Sequence, residues 1–186
     1  MRRITVFNSV SLDGYFTGEN GDLSWAHQAR DDNEWNDFVS GNAGGEGALL
    51  FGRVTYDMMV SYWPTPMAAK NDPRVAQAMN DKEKMVVSRT LKHANWKNTR
   101  VVEDLLTTTR ALKKESGDDI VILGSGTIVS QLAQHDLIDT YQIVVVPIIL
   151  GKGRTMFEGI EKKVNMRLME SQTFKNGKTL LTYEPA

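Results

Sequence analysis

The chain contains no cysteine. Disulfide staples, thiolate nucleophiles and cysteine-ligated zinc are therefore excluded together. Its three histidines, His27, His93 and His135, are dispersed without metal-ligand spacing, so no metal site is expected. Neither sign of charge is in excess: 22 Lys and Arg stand against 23 Asp and Glu, a net charge of −1 at pH 7. Nucleic-acid binders usually carry a basic face, and an anionic membrane surface attracts the same feature. Neither partner is expected here. No run approaches the ~18 apolar residues of a membrane span. The start, MRRITVFNSVSLDGYF, alternates with polar residues and has no apolar core of a secretory signal. What remains is a chain of 186 residues, 41% hydrophobic and 24% charged, able to bury a core without staples. We expect one cytoplasmic domain spanning 1–186.

The apolar pattern predicts alternating strands and helices. RITVFNSV (3–10) reads as a strand and leads into a long glycine-containing loop, 11–25. A short helix is expected over 31–40, capped by Asp31 or Asp32, with Trp35 and Phe38 on one face. GNAGGEG (41–47) reads as a break. ALLF (48–51), KMVVS (84–88), RVVE (100–103) and IVIL (120–123) read as short strands. Residues 62–73 carry Pro64, Pro66 and Pro73 and read as loop. Helices are expected over 74–80 and 104–115, and in IVSQLA after the GSGT turn. The last fifty residues are mostly strand, ending in a hairpin around Asn176-Gly177, a dipeptide that favours a type I′ turn. This order predicts an α/β fold: a mostly parallel mixed sheet, helices on both faces, and a C-terminal antiparallel hairpin.

One local design occurs twice. LLFGRVTY (49–56) and VILGSGTIV (121–129) each run from an apolar strand through glycine into a helix. Such a turn exposes unpaired backbone N–H groups at a helix N-terminus, where the helix dipole favours phosphate. Arg53 and Thr55 follow the first glycine; Ser125 and Thr127 lie in the second turn. A third strand end, VVSRT, adds Ser88 and Arg89. Arginine grips phosphate through two parallel hydrogen bonds, so the set suits the pyrophosphate and 2′-phosphate of NADPH. GSGTIV is not a Rossmann fingerprint, because Val129 stands where the third glycine belongs.

The succession SLDGYFTG, LLFGRVTYDMM, VVSRTL, VILGSGTIVSQL and VVVPIILGKGRTMFEG resembles the dihydrofolate reductase-like superfamily. Within it, the chain is most similar to the C-terminal reductase domain of the bacterial bifunctional riboflavin deaminase-reductase. The resemblance runs from Ile4 to about Tyr183. It implies a three-layer dihydrofolate reductase-like fold and hydride transfer from NADPH to a small heterocycle, pterin-like or aminouracil-like. The cofactor carries that chemistry and the protein supplies orientation.

Carried onto this chain, the resemblance implies that Val10, Leu12, Phe16 and Gly18 lie beside the nicotinamide. Gly52, Arg53 and Thr55 would grip phosphate, Ser88 and Arg89 the 2′-phosphate, and Gly124, Ser125, Gly126, Thr127 and Ile128 the pyrophosphate. Asn8, Trp25, Asp31 and Trp35 would face substrate. The candidates for holding or relaying a proton are Asp32 and Asp13; burial in an apolar cleft would raise such a carboxyl's pKa. Each also has a bland reading, Asp32 as a helix cap and Asp13 as a turn former. The zinc deaminase motifs H-x-E and P-C-x-x-C are absent. The 13–40 segment offers only His27 and Arg30 against several acids, which speaks against a ribose-phosphate substrate. The resemblance also implies a homodimer, with the apolar stretch 143–150 and its following turn as a candidate interface. The rival readings are an NADPH-binding sensor or scaffold without turnover, and a true dihydrofolate reductase.

Overall fold

The structure, a computed structural model, describes residues 1–27 and 32–186. The chain forms two compact units, one comprising Met1–Arg3 and Asp37–Ser125, the other Ile4–Asn36 and Gly126–Ala186.

The first unit is built on four parallel strands: β2 (Ala48–Gly52), β3 (Lys84–Val87), β4 (Thr99–Val102) and β5 (Ile120–Leu123), in the order β4-β3-β2-β5. β2 is flanked on both sides and buried along its whole length, which explains its uninterrupted apolar sequence. The register pairs Gly52 with Val87, Val87 with Val102, and Leu50 with Ile122. The strands therefore end at one common edge. Helices α2 (Arg53–Tyr62), α3 (Pro66–Asn71), α4 (Pro73–Asp81) and α5 (Leu105–Lys114) lie between them in sequence. Asp104 caps α5 by accepting from the Thr107 N–H at 2.8 Å.

Two expectations are corrected here. Residues 62–73 are not all loop: Thr65 caps α3, and Pro66 takes the first helical turn, where its missing N–H costs nothing. The expected break at 41–47 is also shortened, because α1 (Asn33–Gly44) continues through Gly41 and Gly44.

The core of this unit includes Leu49, Phe51, Tyr56, Val75, Met79, Val86 and Trp96. Trp96 stacks on Phe51 at 6.1 Å, and its indole N–H donates to Asn80 at 2.7 Å. Within this apolar setting Lys84, the first residue of β3, is fully buried. Its ammonium donates to the carbonyls of Met79, Asn80 and Lys82 at 2.7–3.0 Å and sits 4.7 Å from the Trp96 ring centre. It thus satisfies carbonyls left unpaired at the end of α4.

The second unit carries β1 (Ile4–Ser11), β6 (Thr140–Val146), β7 (Met166–Thr173) and β8 (Thr179–Pro185) in the order β1-β6-β8-β7. β1 and β6 are parallel; β8 is antiparallel to both β6 and β7. Helix α6 (Gly126–Gln134) buries Ile128, Val129, Leu132 and Ala133. No helix among the described residues is long and apolar enough to cross a membrane.

The hairpin turn departs from type I′. Gly177 alone of the dipeptide has positive φ, +82°. Phe174 and Lys178 close a three-residue loop, with Phe174 N donating to Lys178 O and Gly177 N to Phe174 O, both at 2.9 Å. Asn176 is committed elsewhere: its N–H donates to Asp32 and its side-chain oxygen accepts from Lys178 N. The loop is a three-residue turn with glycine in the left-handed position. The candidate interface stretch 143–150 begins within β6. Its strand, β6, is flanked by β1 and β8, whereas β7 is the edge and exposes Met166, Leu168 and Met169.

Burial lowers the pKa of Lys84 to about 8 from its ordinary 10.5. The unfolded chain therefore binds more protons between these values, and stability should rise as pH increases from about 8 to about 10.5. Urea titrations across this range should show that slope in the wild type and a flatter one in Lys84→Met.

Candidate active site

The common edge of the parallel strands gathers the first set of expected residues. β2 ends at Gly52, which is the N-cap of α2 and has no side chain to satisfy the first-turn N–H groups. β5 ends at Leu123 and passes into Gly124 and Ser125, whose φ values are +70° and +61°. This left-handed pair turns the Ser125 side chain onto the neighbouring strand end. Its Oγ accepts from Gly52 N at 2.6 Å and donates to Thr55 Oγ1 at 2.8 Å. Gly124 has no room for a side chain, since an added Cβ would fall 2.8 Å from Thr55 Cγ2. Gly52, Thr55, Gly124 and Ser125 thus form one interlocked turn.

One cation beside this turn is already paired with an acid. Arg53 reaches forward along α2 to Asp57, four residues on, at 2.7 Å, both side chains being largely exposed. Such a pair is worth little in water, so a phosphate can displace it at small cost. At the end of β3, Ser88 is buried and its Oγ accepts from the N–H groups of Thr90 and Leu91. Arg89 is exposed, and its charge helps hold Asp104 below its ordinary carboxyl pKa, after the larger effect of the Thr107 hydrogen bonds. The donors fit a phosphorylated dinucleotide: a helix N-terminus, two arginines and closely approached glycines converge where three strands end.

In the second unit, Phe16 lies against the first glycine of α6: a Cβ on Gly126 would sit 3.4 Å from its ring. Thr127 is exposed, while the Ile128 side chain is in the core, so only its backbone is left to meet a ligand. Val10 is half-buried near the end of β1, and Leu12 is exposed just beyond it. Gly18 is buried and donates to Asp22 O at 2.9 Å. Asn8 is buried and donates to Met156 Sδ at 3.2 Å. Trp25 is also buried, with its indole N–H on Asp22 O. Trp35 is half-buried and meets Phe174 edge-on at 5.0 Å.

The carboxylates occupy bonded positions. Asp32 accepts from Trp35 N with one oxygen and from Asn176 N with the other, so it caps α1 and ties the hairpin loop to it. Asp13 accepts from the Ser11 hydroxyl at 2.6 Å, from Leu150 N at 3.1 Å and from Gly151 N at 2.8 Å. The Ser11 hydrogen bond foremost, with the two N–H groups, lowers its pKa. It is a settled anion at neutral pH. Asp31 lies outside the described residues. No group of three or more acidic or histidine side chains among the described residues is arranged to hold a metal ion.

One neighbour of these residues was not among the expected ones. Lys178 is buried, donates to Ala26 O at 3.0 Å, and sits 4.3 Å from the Trp35 ring centre. Burial lowers its pKa, and the Asp32 charge partly restores it. Its flanking Phe174 and LL pair were the available signal, overshadowed by the turn-like KNGKT.

The sequence matches the RibD C-terminal domain family over residues 2–180. The chain belongs to that family. It is similar to a putative riboflavin biosynthesis protein from Shewanella sp. PV-4, with 26% identity, TM-score 0.78 and 99% of both chains covered. The bifunctional deaminase and 5-amino-6-(5-phosphoribosylamino)uracil reductase of Thermotoga maritima shares the fold, with 15% identity and TM-score 0.69. All of this chain, but only 57% of that protein, is covered. Dihydrofolate reductase from Enterococcus faecalis, complexed with NADP(H), also shares it, with 15% identity, TM-score 0.64, and 98% and 96% of the two chains covered. The RibD-type chain thus has the dihydrofolate reductase-like α/β fold.

The turn at Gly124 combines a left-handed backbone with a blocked Cβ position. Gly124→Ala should cost roughly 1–3 kcal/mol of stability, read as a lower urea midpoint with an unchanged slope.

Proposed function

We propose that this RibD-type domain is a cytoplasmic NADPH-dependent reductase acting on a small pterin-like or aminouracil-like heterocycle. The observation that carries the reading is the convergence of three parallel strand ends on one edge, with Gly52, Thr55, Gly124 and Ser125 interlocked and Arg53 and Arg89 beside them. Arg53 and the α2 N-terminus take the cofactor's phosphates, and Ser88 and Arg89 its 2′-phosphate. The backbone of 126–128 at the start of α6 takes pyrophosphate. Val10, Leu12, Phe16 and Gly18 take the nicotinamide end. When bound, the cofactor supplies the hydride; these residues bind, orient and shield it. Substrate contacts are assigned to Asn8, Trp25, Asp31 and Trp35, with Trp25 acting from the core as support.

Neither described carboxylate suits the role of proton donor, since Asp13 and Asp32 accept backbone hydrogen bonds with both oxygens. In a dihydrofolate reductase proper, a carboxylate on the first helix must be available to the pterin; here Asp32 is spent as a cap. The commitment of both acids also favours the second reading, an NADPH-binding sensor without turnover. The two separate on one measurement. A reductase consumes NADPH when offered a panel of pterins and aminouracils, whereas a sensor binds it and leaves it unchanged. A homodimer through the exposed apolar residues of β7 is part of the proposal.

Arg89→Ala should weaken NADPH far more than NADH in a fluorescence titration, with a loss of about 1.5–3 kcal/mol for NADPH. Equal losses would remove Arg89 from the 2′-phosphate. Leu168→Glu should convert a dimer to a monomer in light scattering after size-exclusion chromatography; an unchanged mass would displace the interface from β7.

A further inference from the structure

We propose that Asp13 is a positioning residue, whose carboxylate latches the loop after β1 to the segment after β6 and makes residues 11–18 and 147–154 a single platform carrying Phe16. The proposal deepens the nicotinamide-end assignment and rests on it.

The two stretches are stitched at several points. Leu12 N donates to Ile148 O at 2.8 Å, Phe16 N to Arg154 O at 2.8 Å, and Arg154 N to Thr17 O at 3.0 Å. Gly153 has φ +156°, and a Cβ there would fall 2.0 Å from Thr17 O, so the backbones approach as closely as glycine allows. Between these stitches lies Asp13. Both of its oxygens face N–H groups of the opposite segment, Leu150 and Gly151, while Ser11 donates to it from the strand end. The Ser11 Oγ in turn accepts from Tyr15 N at 2.9 Å, so the tip of the loop is tied into the same network.

A carboxylate is the side chain this arrangement requires. It offers acceptors on both oxygens, whereas an amide would present an NH₂ to one of the N–H groups. The ion pairs near the platform add little to it. Lys152–Glu19, at 3.7 Å, is an exposed ion pair, and Arg154–Glu158, at 3.0 Å, lies within one segment. Leu12 and Ile149, one on each stretch, are left as exposed apolar surface. Phe16 lies against Gly126 at the α6 N-terminus. A flat, partly apolar ring such as nicotinamide has its resting surface here, and its alignment depends on the latch.

The platform is exposed and contains Lys152 and Arg154, so trypsin reads its opening directly. Asp13→Asn should be cut after these residues about tenfold faster than wild type, and Ser11→Ala should move in the same direction by less. Because both act on one network, the double variant should be cut no faster than Asp13→Asn alone. Ser11→Ala and Asp13→Glu keep the test open if Asp13→Asn fails to fold. Binding supplies the readout that general destabilisation would not give. Asp13→Asn should weaken NADPH about tenfold, a tenth of the wild-type association constant, and leave 2′,5′-ADP, which lacks the nicotinamide, within about twofold. Unchanged cleavage in Asp13→Asn and Ser11→Ala, or equal losses for the two ligands, overturns the proposal. Wild-type protein that binds neither ligand overturns the cofactor reading, and with it the positioning role, while faster cleavage would still establish the latch.

Discussion

The hydroxyl of Ser125 joins two strand ends that sequence keeps more than seventy residues apart. It accepts from Gly52 N and donates to Thr55, and it reaches both because Gly124 and Ser125 adopt the left-handed backbone in succession. Gly124 permits this at no steric cost; Ser125 is a non-glycine residue at φ +61°, a conformation held by its two hydrogen bonds. The turn that leads into α6, the start of α2 and the buried Thr55 are consequently one object. Everything assigned to phosphate recognition in the first unit is arranged around it.

A second theme is the commitment of charge to backbone groups. Lys84 is spent on three carbonyls near the end of α4, Lys178 on a carbonyl and an aromatic face, Asp32 on two N–H groups, and Asp13 on two more. A buried or loop-bridging charge held this way satisfies polar groups that would otherwise be desolvated without a partner. It also leaves neither oxygen of Asp13 or Asp32 without a donor. That is consistent with the proposed reading, in which a bound cofactor would carry the reactivity and the domain would supply placement. The two loops after β1 and β6 show the same pattern, with one exposed carboxylate, Asp13, accepting from the N–H groups of both Leu150 and Gly151.

The strands and most helices were legible from local pattern. IVIL and ALLF are short apolar runs bounded by glycine, and their buried, parallel setting is what such runs demand. Asp104 announced the start of α5 through a cap that acts within one turn of chain. The strand–glycine–helix turns were legible for the same reason: glycine, a following arginine or serine, and a helix are all local. The misjudged features had two causes, a local cap overlooked in one and a distant partner in the other. Pro66 read as a loop residue but opens a helix capped by Thr65. Asn176-Gly177 favours type I′ in isolation, yet Asn176 is drawn by Asp32 across 144 residues into a different turn.

By itself, the sequence determined the α/β element order, the RibD-type membership, the absence of cysteine chemistry and the positions of the glycine turns, because each depends on residue type over a few neighbours. Only the tertiary structure decided what the polar side chains are for. Asp13 and Asp32 have the same carboxyl group as any catalytic acid. Their roles follow from which N–H groups the fold brings within hydrogen-bond distance: Trp35 N lies three residues from Asp32, but Leu150, Gly151 and Asn176 come from segments more than one hundred residues away.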